Sequence, residues 1–227
     1  MDCRATLHAG SGGEEVPTVY FVDLPEHPFD LAAASEGLGV NVVGIEVPNW
    51  DDALTPWPAP PLYREQRAFG GQAQATLDRL LAKTLPCAEA TFGLRPSARA
   101  IAGYSLGGLF AAWALLKTPE FAAAASMSGS LWFEGWDECC ARACTPGGLT
   151  GRFAYFSVGT GEKRASSATF RRVEDRTRET VCRFQDAGAQ VAFETSPGKH
   201  FDHVTDRIQK GLAALDAFFA QPCERRR

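Results

Sequence analysis

The 227-residue sequence predicts an α/β fold, a mainly parallel, doubly wound sheet flanked by helices. Short uncharged runs of β-branched and aromatic residues recur along the chain, and segments of helical period lie between them. Strands alternating with helices make βαβ units, and strand runs without clean alternation fit burial on both faces. A glycine-flanked serine also sits where one strand-like run gives way to an apolar helix.

In chain order, residues 1–16 read as an N-terminal arm, flexible or paired to a sheet edge. Residues 17–222 form the domain. Its strand-like runs are Thr18–Val22, Asn41–Val47, Arg99–Gly103, Phe153–Val158 and Val191–Thr195. Ala122–Met127, a run of small residues, fits strand or helix by pattern alone. Helical spacing runs through Gln72–Thr84, Leu106–Lys117, Phe170–Ala187 and Val204–Phe219. Leu106–Lys117 is apolar almost all round, as a buried helix is. Two stretches interrupt the alternation. Pro48–Tyr63 is rich in Pro and Trp and is excluded from helix and central strand. Residues 129–150 carry Trp132, Phe133 and Trp136 and three cysteines, and form a small cap-like insertion between two strands or a cover over the core. Residues 223–227 are a basic tail.

Composition narrows the function. Apolar residues make up 45%, charged residues 22%, and the formal net charge is -4. A nucleic-acid binder needs a basic face, so none is expected as a partner. No apolar run reaches membrane-spanning length. Residues 1–15 are polar and Gly-rich, without the apolar core of a signal peptide, so a cytoplasmic protein is expected. Seven cysteines in a chain this long fit reduced thiols better than a disulfide framework. Cys139, Cys140 and Cys144 cluster, but not at zinc-site spacing and with no histidine near, so no metal and no cofactor are expected.

The chemistry centres on Gly103-Tyr104-Ser105-Leu106-Gly107, a G-x-S-x-G pattern. In a nucleophile elbow the serine adopts a strained conformation at a sharp strand-to-helix turn, and side chains two positions either side would collide. The flanking strand and helix patterns supply that setting, so Ser105 is the candidate nucleophile. A serine hydroxyl needs a base, and in α/β-hydrolase folds the chain order is Ser, acid, His. His8 and His27 precede Ser105. His200 lies in the loop after the last strand-like run and is preferred over His203, which begins the last helix. Glu162 is the only carboxylate in the loop after Phe153–Val158; Asp202 is too near His200 in sequence to partner it comfortably. Oxyanion donors are expected from the backbone N–H groups of Leu106 and Leu24. Trp50, Trp57, Tyr104 and Trp132 are expected to contact substrate.

Several segments resemble the small bacterial esterases of the esterase D and enterochelin-esterase-like branch of the α/β-hydrolases. They are VVGIEVPNWDDALTPWPAP, IAGYSLGGLFAAWALLKTPEFAAAASMSGSLWF, FSVGTGEK, RRVEDRTRET and ETSPGKHFDHV. The resemblance runs from about Thr18 onward and implies an ester-cleaving Ser-His-acid site with Ser105 and His200 at the matching positions. The chain is also similar to mycolyltransferases, whose acid is a glutamate in the loop corresponding to Gly159–Lys163, which supports Glu162. Thr160 departs from the pattern, since relatives often carry aspartate there.

The leading reading is therefore a serine esterase acting on a small-molecule ester. Acyl transfer and thioester cleavage use the same triad, and a binding module without catalysis is the reading from a different class. Oligomeric state, natural substrate and acyl length are not legible.

Overall fold

The computed structural model describes residues 4–8, 13–63, 66–164 and 168–222. The basic tail and part of the N-terminal arm lie outside them. Arm residues form β1 (Ala5–His8), which pairs antiparallel along the sheet edge with β3 (Asn41–Glu46). The remaining strands are parallel: β2 (Thr18–Asp23), β6 (Arg99–Tyr104), β7 (Ala123–Met127), β8 (Phe153–Gly159) and β9 (Gln190–Ser196). The order across the sheet is β1-β3-β2-β6-β7-β8-β9. A separate two-stranded pair, β4 (Pro58–Ala59) and β5 (Phe69–Gly70), lies in the connection after β3.

The helices are α1 (Leu31–Ala34), α2 (Trp50–Ala53), α3 (Ala73–Arg79), α4 (Leu85–Phe92), α5 (Leu106–Lys117), α6 (Trp136–Ala143), α7 (Ala168–Arg171), α8 (Val173–Asp186) and α9 (Val204–Phe219). Each central strand sends alternate residues to opposite layers. Tyr20, Ile101 and Phe156 join the core on one face, which also takes in α5 and the apolar side of α8. Val19, Ala102, Tyr104 and Met127 join the other, under α1 and α9. Both faces are covered, and β2, β7 and β8 are buried along their full length.

Three local outcomes differ from the sequence reading. The run Ala122–Met127, open between strand and helix, contains the strand β7 from Ala123 on, hydrogen-bonded between β6 and β8. The helix expected to stop at Thr84 runs on to Phe92 through a π-helical turn at Leu80–Thr84. That wider turn ends two residues before Pro86, which lacks the N–H that an α-helical ladder needs there. The Pro/Trp-rich stretch contains one helical turn, α2, entered through Asn49 in the left-handed region at φ 56°. Residues 129–150 are built into the main core through Trp136, Cys140 and Leu149.

Candidate active site

Ser105 stands between β6 and α5 at φ 57°, ψ -121°, a strained conformation for a residue with a side chain. The turn depends on bare backbone. A Cβ at Gly103 would lie 2.4 Å from the carbonyl carbon and oxygen of Gly107. A Cβ at Gly107 would meet the Trp50 ring at 3.3 Å and the Val22 carbonyl oxygen at 3.5 Å, ordinary or slightly tight contacts. The first glycine of the motif is thus sterically required, and the second gives room to the indole above it.

Ser105 Oγ is 3.1 Å from His200 Nε2, and His200 Nδ1 is 2.8 Å from Glu162 Oε2. The three residues come from the loops after β6, β9 and β8, at the C-terminal strand ends where α/β sheets build sites, with β7 between β6 and β8. The acid and histidine loops are tied by backbone bonds from Thr160 N to Ser196 O and from Gly161 N to Gly198 O, both 2.8 Å. Glu162 sits in a 3-10 turn and is buried at 6% exposure. Its other oxygen, Oε1, accepts from Gly159 N–H at 2.7 Å and faces Arg207 Nη1 at 3.3 Å. Burial pushes the carboxyl upward, but the hydrogen bond and charge of His200, the Gly159 N–H and the Ser128 hydroxyl hold it below the ordinary value.

His203 and Asp202 stand apart from this chain of contacts. His203 is left-handed at φ 55° ahead of α9, and its ring is 64% exposed. Asp202 Oδ2 accepts the Lys199 N–H at 2.7 Å and so folds the histidine loop on itself.

The serine opens into a cavity of about 690 Å³, within the range of small-molecule sites. Trp50, Phe69, Trp132 and Phe170 give it aromatic walls, and Leu106, Ser130, Arg164 and Lys199 also line it. Leu106 is the first residue of α5, so its N–H is one of the helix's orphan donors. Other expectations fall elsewhere. The Leu24 N–H donates to Asp23 Oδ1 at 2.9 Å, because that carboxylate caps the turn after β2, and Leu24 does not line the cavity. Trp57 donates its indole N–H to the Glu134 carbonyl at 2.7 Å and packs on Phe133, bracing the insertion from outside the cavity. Tyr104 is 1% exposed, and strand alternation turns it to the α9 face, where its hydroxyl donates to the His200 carbonyl.

Two residues at the site went unnoticed in the sequence. Ser130 Oγ is 3.4 Å from Ser105 Oγ, and Ser130 N–H donates to the Ser105 carbonyl at 2.9 Å. It stands in the SGSLW segment, which was noted for its resemblance and given no role. Arg207, on α9, is 1% exposed beneath the Ser105–His200–Glu162 cluster. Among the described residues no group of three or more His, Cys, Asp or Glu side chains could hold a metal ion. In the cysteine cluster, Cys140 Sγ lies 3.6 Å from Cys144 Sγ.

Residues 8–204 match the family model described as "Putative esterase". The chain belongs to that esterase family. Over 151 residues this esterase-family chain is 32% identical to "Uncharacterized protein YbbA" of Bacillus subtilis (strain 168), covering 65% of itself and 59% of that protein. The chain thus spans about three fifths of the curated relative's length. Among solved structures it resembles the siderophore hydrolase EstB from Aspergillus nidulans, at TM-score 0.74 and 20% identity, covering 96% of this chain and 90% of that one. An IroE-like serine hydrolase from Shewanella oneidensis gives TM-score 0.74 and 20% identity over 92% of this chain and 72% of that one. These likenesses establish the α/β-hydrolase fold. No helix among the described residues is long and apolar enough to cross a membrane.

Proposed function

We propose that the protein is a carboxylic-ester hydrolase working through an acyl-enzyme. Ser105 Oγ attacks the ester carbonyl while His200 Nε2 takes its proton, and the Leu106 N–H donates to the developing oxyanion. The C–O bond to the alcohol breaks, and His200 returns the proton to the departing oxygen. Water then attacks the acyl-serine with the same histidine as base, releasing the acid and restoring Ser105. Glu162 holds the histidine's Nδ1–H tautomer and offsets the imidazolium charge. The aromatic walls would take an apolar portion of the substrate against Trp50 and Trp132.

The observation that carries this reading is the continuous contact from Ser105 to His200 to Glu162, at 3.1 and 2.8 Å, starting from a strained serine that opens into a cavity. Family membership supports the same chemistry. The test is labelling with a fluorophosphonate, followed by peptide mapping and an ester panel. One adduct per chain, on Ser105 and absent from Ser105→Ala, is expected. No adduct, or one on another residue, would sink the proposal.

A further inference from the structure

We propose that Arg207 is a positioning residue for the catalytic acid: from the far side of the triad it fixes Glu162 so that the carboxylate meets His200 charged and correctly turned. The proposal rests on the Ser105–His200–Glu162 reading above.

The geometry is that of a single buried guanidinium joining every loop that bears the triad. Nη1 donates to Tyr104 Oη at 3.1 Å, at the end of the nucleophile's strand. It also reaches Ser128 Oγ at 2.9 Å, just past the end of β7, and Glu162 Oε1 at 3.3 Å, in the acid turn. Nη2 donates to the Pro197 carbonyl at 2.9 Å, in the histidine loop. The Tyr104 hydroxyl passes the contact on to the His200 carbonyl. Ser128 is itself held at φ 45° with no exposed surface, a strained conformation that presents its hydroxyl to this cluster.

The two oxygens of Glu162 divide the work. Oε2 faces the histidine, whereas Oε1 is taken by the Gly159 N–H and Arg207. Rotation of the carboxylate about its terminal bond would break contacts on both sides. Stability alone is a poor reason for this arrangement. Burying an Arg–Glu pair carries a large desolvation penalty before pairing, and an apolar side chain of similar volume often serves as well. The neighbouring inward positions on α9 are Ile208, Gly211 and Leu212, and Arg207 Nε finds no partner. The charge is spent on the acid.

Other groups around Glu162 do not duplicate that charge. Tyr104 and Ser128 are neutral hydroxyls, and burial pushes the Tyr104 hydroxyl above its ordinary value against the pull of Ser128 and Arg207. Lys163, in the same turn, pairs outward with Glu174 of α8 at 3.5 Å. Arg164 of that turn and Arg171 of α7 are exposed. Removing Arg207 removes the buried cation beside the acid–base pair, which then holds a proton to higher pH.

The experiment compares Arg207→Met, Arg207→Lys and Glu162→Gln, singly and with Arg207→Met in the Glu162→Gln background. kcat and KM are measured on p-nitrophenyl acetate from about pH 5 to 9, corrected for folded enzyme by fluorophosphonate titration. Loss of a hydrogen bond to a charged group is expected to lower kcat in Arg207→Met roughly ten- to hundred-fold with KM little changed. The acid limb of kcat/KM should move up by about one pH unit. Arg207→Lys should recover part of kcat and keep the acid limb in place. In the Glu162→Gln background, Arg207→Met should cost less than about three-fold, since its target is gone. Wild-type kcat with an unmoved acid limb in Arg207→Met overturns the proposal, as does an undiminished effect in the Glu162→Gln background. If Arg207→Met does not fold, Arg207→Gln, which keeps donors without the charge, decides: a three- to thirty-fold loss in kcat at constant KM upholds the role, and wild-type kcat with an unmoved acid limb overturns it. A Ser105→Ala variant that kept activity would instead overturn the reading beneath the proposal and leave a different signature, activity independent of the triad.

Discussion

Two glutamates in this molecule sit against an arginine and a tyrosine, at different places around the sheet, and only one has an atom left for chemistry. Glu89 of α4 lies over β2 and the start of β6. Its Oε1 accepts from the Tyr20 hydroxyl at 2.5 Å and from Arg99 Nε at 2.8 Å, and its Oε2 accepts from Arg99 Nη2 at 2.8 Å. Burial and the glutamate raise the Tyr20 hydroxyl, and the same glutamate raises Arg99. Both oxygens are bound by a bidentate fork, a geometry that fastens elements together. Glu162 has the same neighbours by type, but its arginine touches one oxygen only, and the other faces a histidine that is itself 26% exposed toward a cavity. A carboxylate becomes useful when the protein satisfies half of it.

The largest expected effect tests whether the half-satisfied cluster is catalytic at all. Ser105→Ala should lower kcat on an activated short-chain ester by about 10⁴-fold or more, the usual loss for a triad nucleophile, with its thermal midpoint close to wild type. Near wild-type kcat would mean that the likeness between the two clusters is complete and neither one is catalytic.

Next comes a crossed pair. Glu162→Gln should lower kcat by roughly 10²- to 10⁴-fold, since an amide cannot offset the imidazolium. Glu89→Gln should leave kcat within about three-fold and destabilise the fold by about 1–2 kcal/mol, because it unbalances a partly buried guanidinium. Denaturant melts and one kinetic series read both. The pH dependence should also separate them. Glu162 is held below its ordinary 4.5 in the folded state, so its stabilising contribution is whole above that value and is lost as pH falls through the lowered one. Glu162→Gln should therefore lose less stability than wild type across that acid window. Equal kinetic losses in the two variants would break the contrast.

What the sequence revealed follows the same division. The serine was legible because its elbow imposes a local constraint: Gly103 must be bare for a contact only four residues away, with Gly107. His200 and Glu162 were reachable because chain order and loop position narrowed the choice to a few side chains. The strands were legible because covering both faces of the sheet makes them apolar throughout, and even Ala122–Met127 was ambiguous only for lack of large residues. The misplaced residues depend on longer-range geometry. Leu24 was expected to offer its N–H, but the Asp23 side chain takes it. Tyr104 was expected at the substrate, but alternation along β6 sends it beneath the histidine loop. Arg207 gave no signal, since an arginine one place before Ile208 on an amphipathic helix reads as a solvated charge until the helix is docked. The extension past Thr84 was missed because a proline at position 86 ordinarily marks an end, and the π turn before it accommodates the chain.

A smaller effect is expected at the cavity wall. Trp132 packs edge-on to Phe170 with centroids 4.8 Å apart, and both line the cavity. Trp132→Ala should change the ratio of kcat/KM between a bulky and a short acyl ester by roughly ten-fold, the scale on which apolar pockets discriminate. A uniform loss on all esters, tracking the melting midpoint, would make Trp132 a packing residue like Trp136.

The smallest effect is expected from Asp202, a carboxylate at the cavity that holds a backbone turn while the histidine's Nδ1 faces Glu162. It lies two residues from His200, so proximity alone would nominate it as the acid. Its Oδ2, however, takes the Lys199 N–H at 2.7 Å, and its own N–H donates to the Lys199 carbonyl at 3.2 Å. The carboxylate therefore closes a short exposed turn, where a charged hydrogen bond to backbone contributes little. An asparagine can accept the same N–H. Asp202→Asn should accordingly leave kcat within about three-fold of wild type, and Asp202→Asn combined with Glu162→Gln should be no slower than Glu162→Gln alone. Measuring kcat for all three against one activated ester checks the ranking. If Asp202→Asn proves the more damaging single change, the acid is Asp202, and contact with the histidine together with a buried arginine behind the carboxylate does not mark the catalytic one.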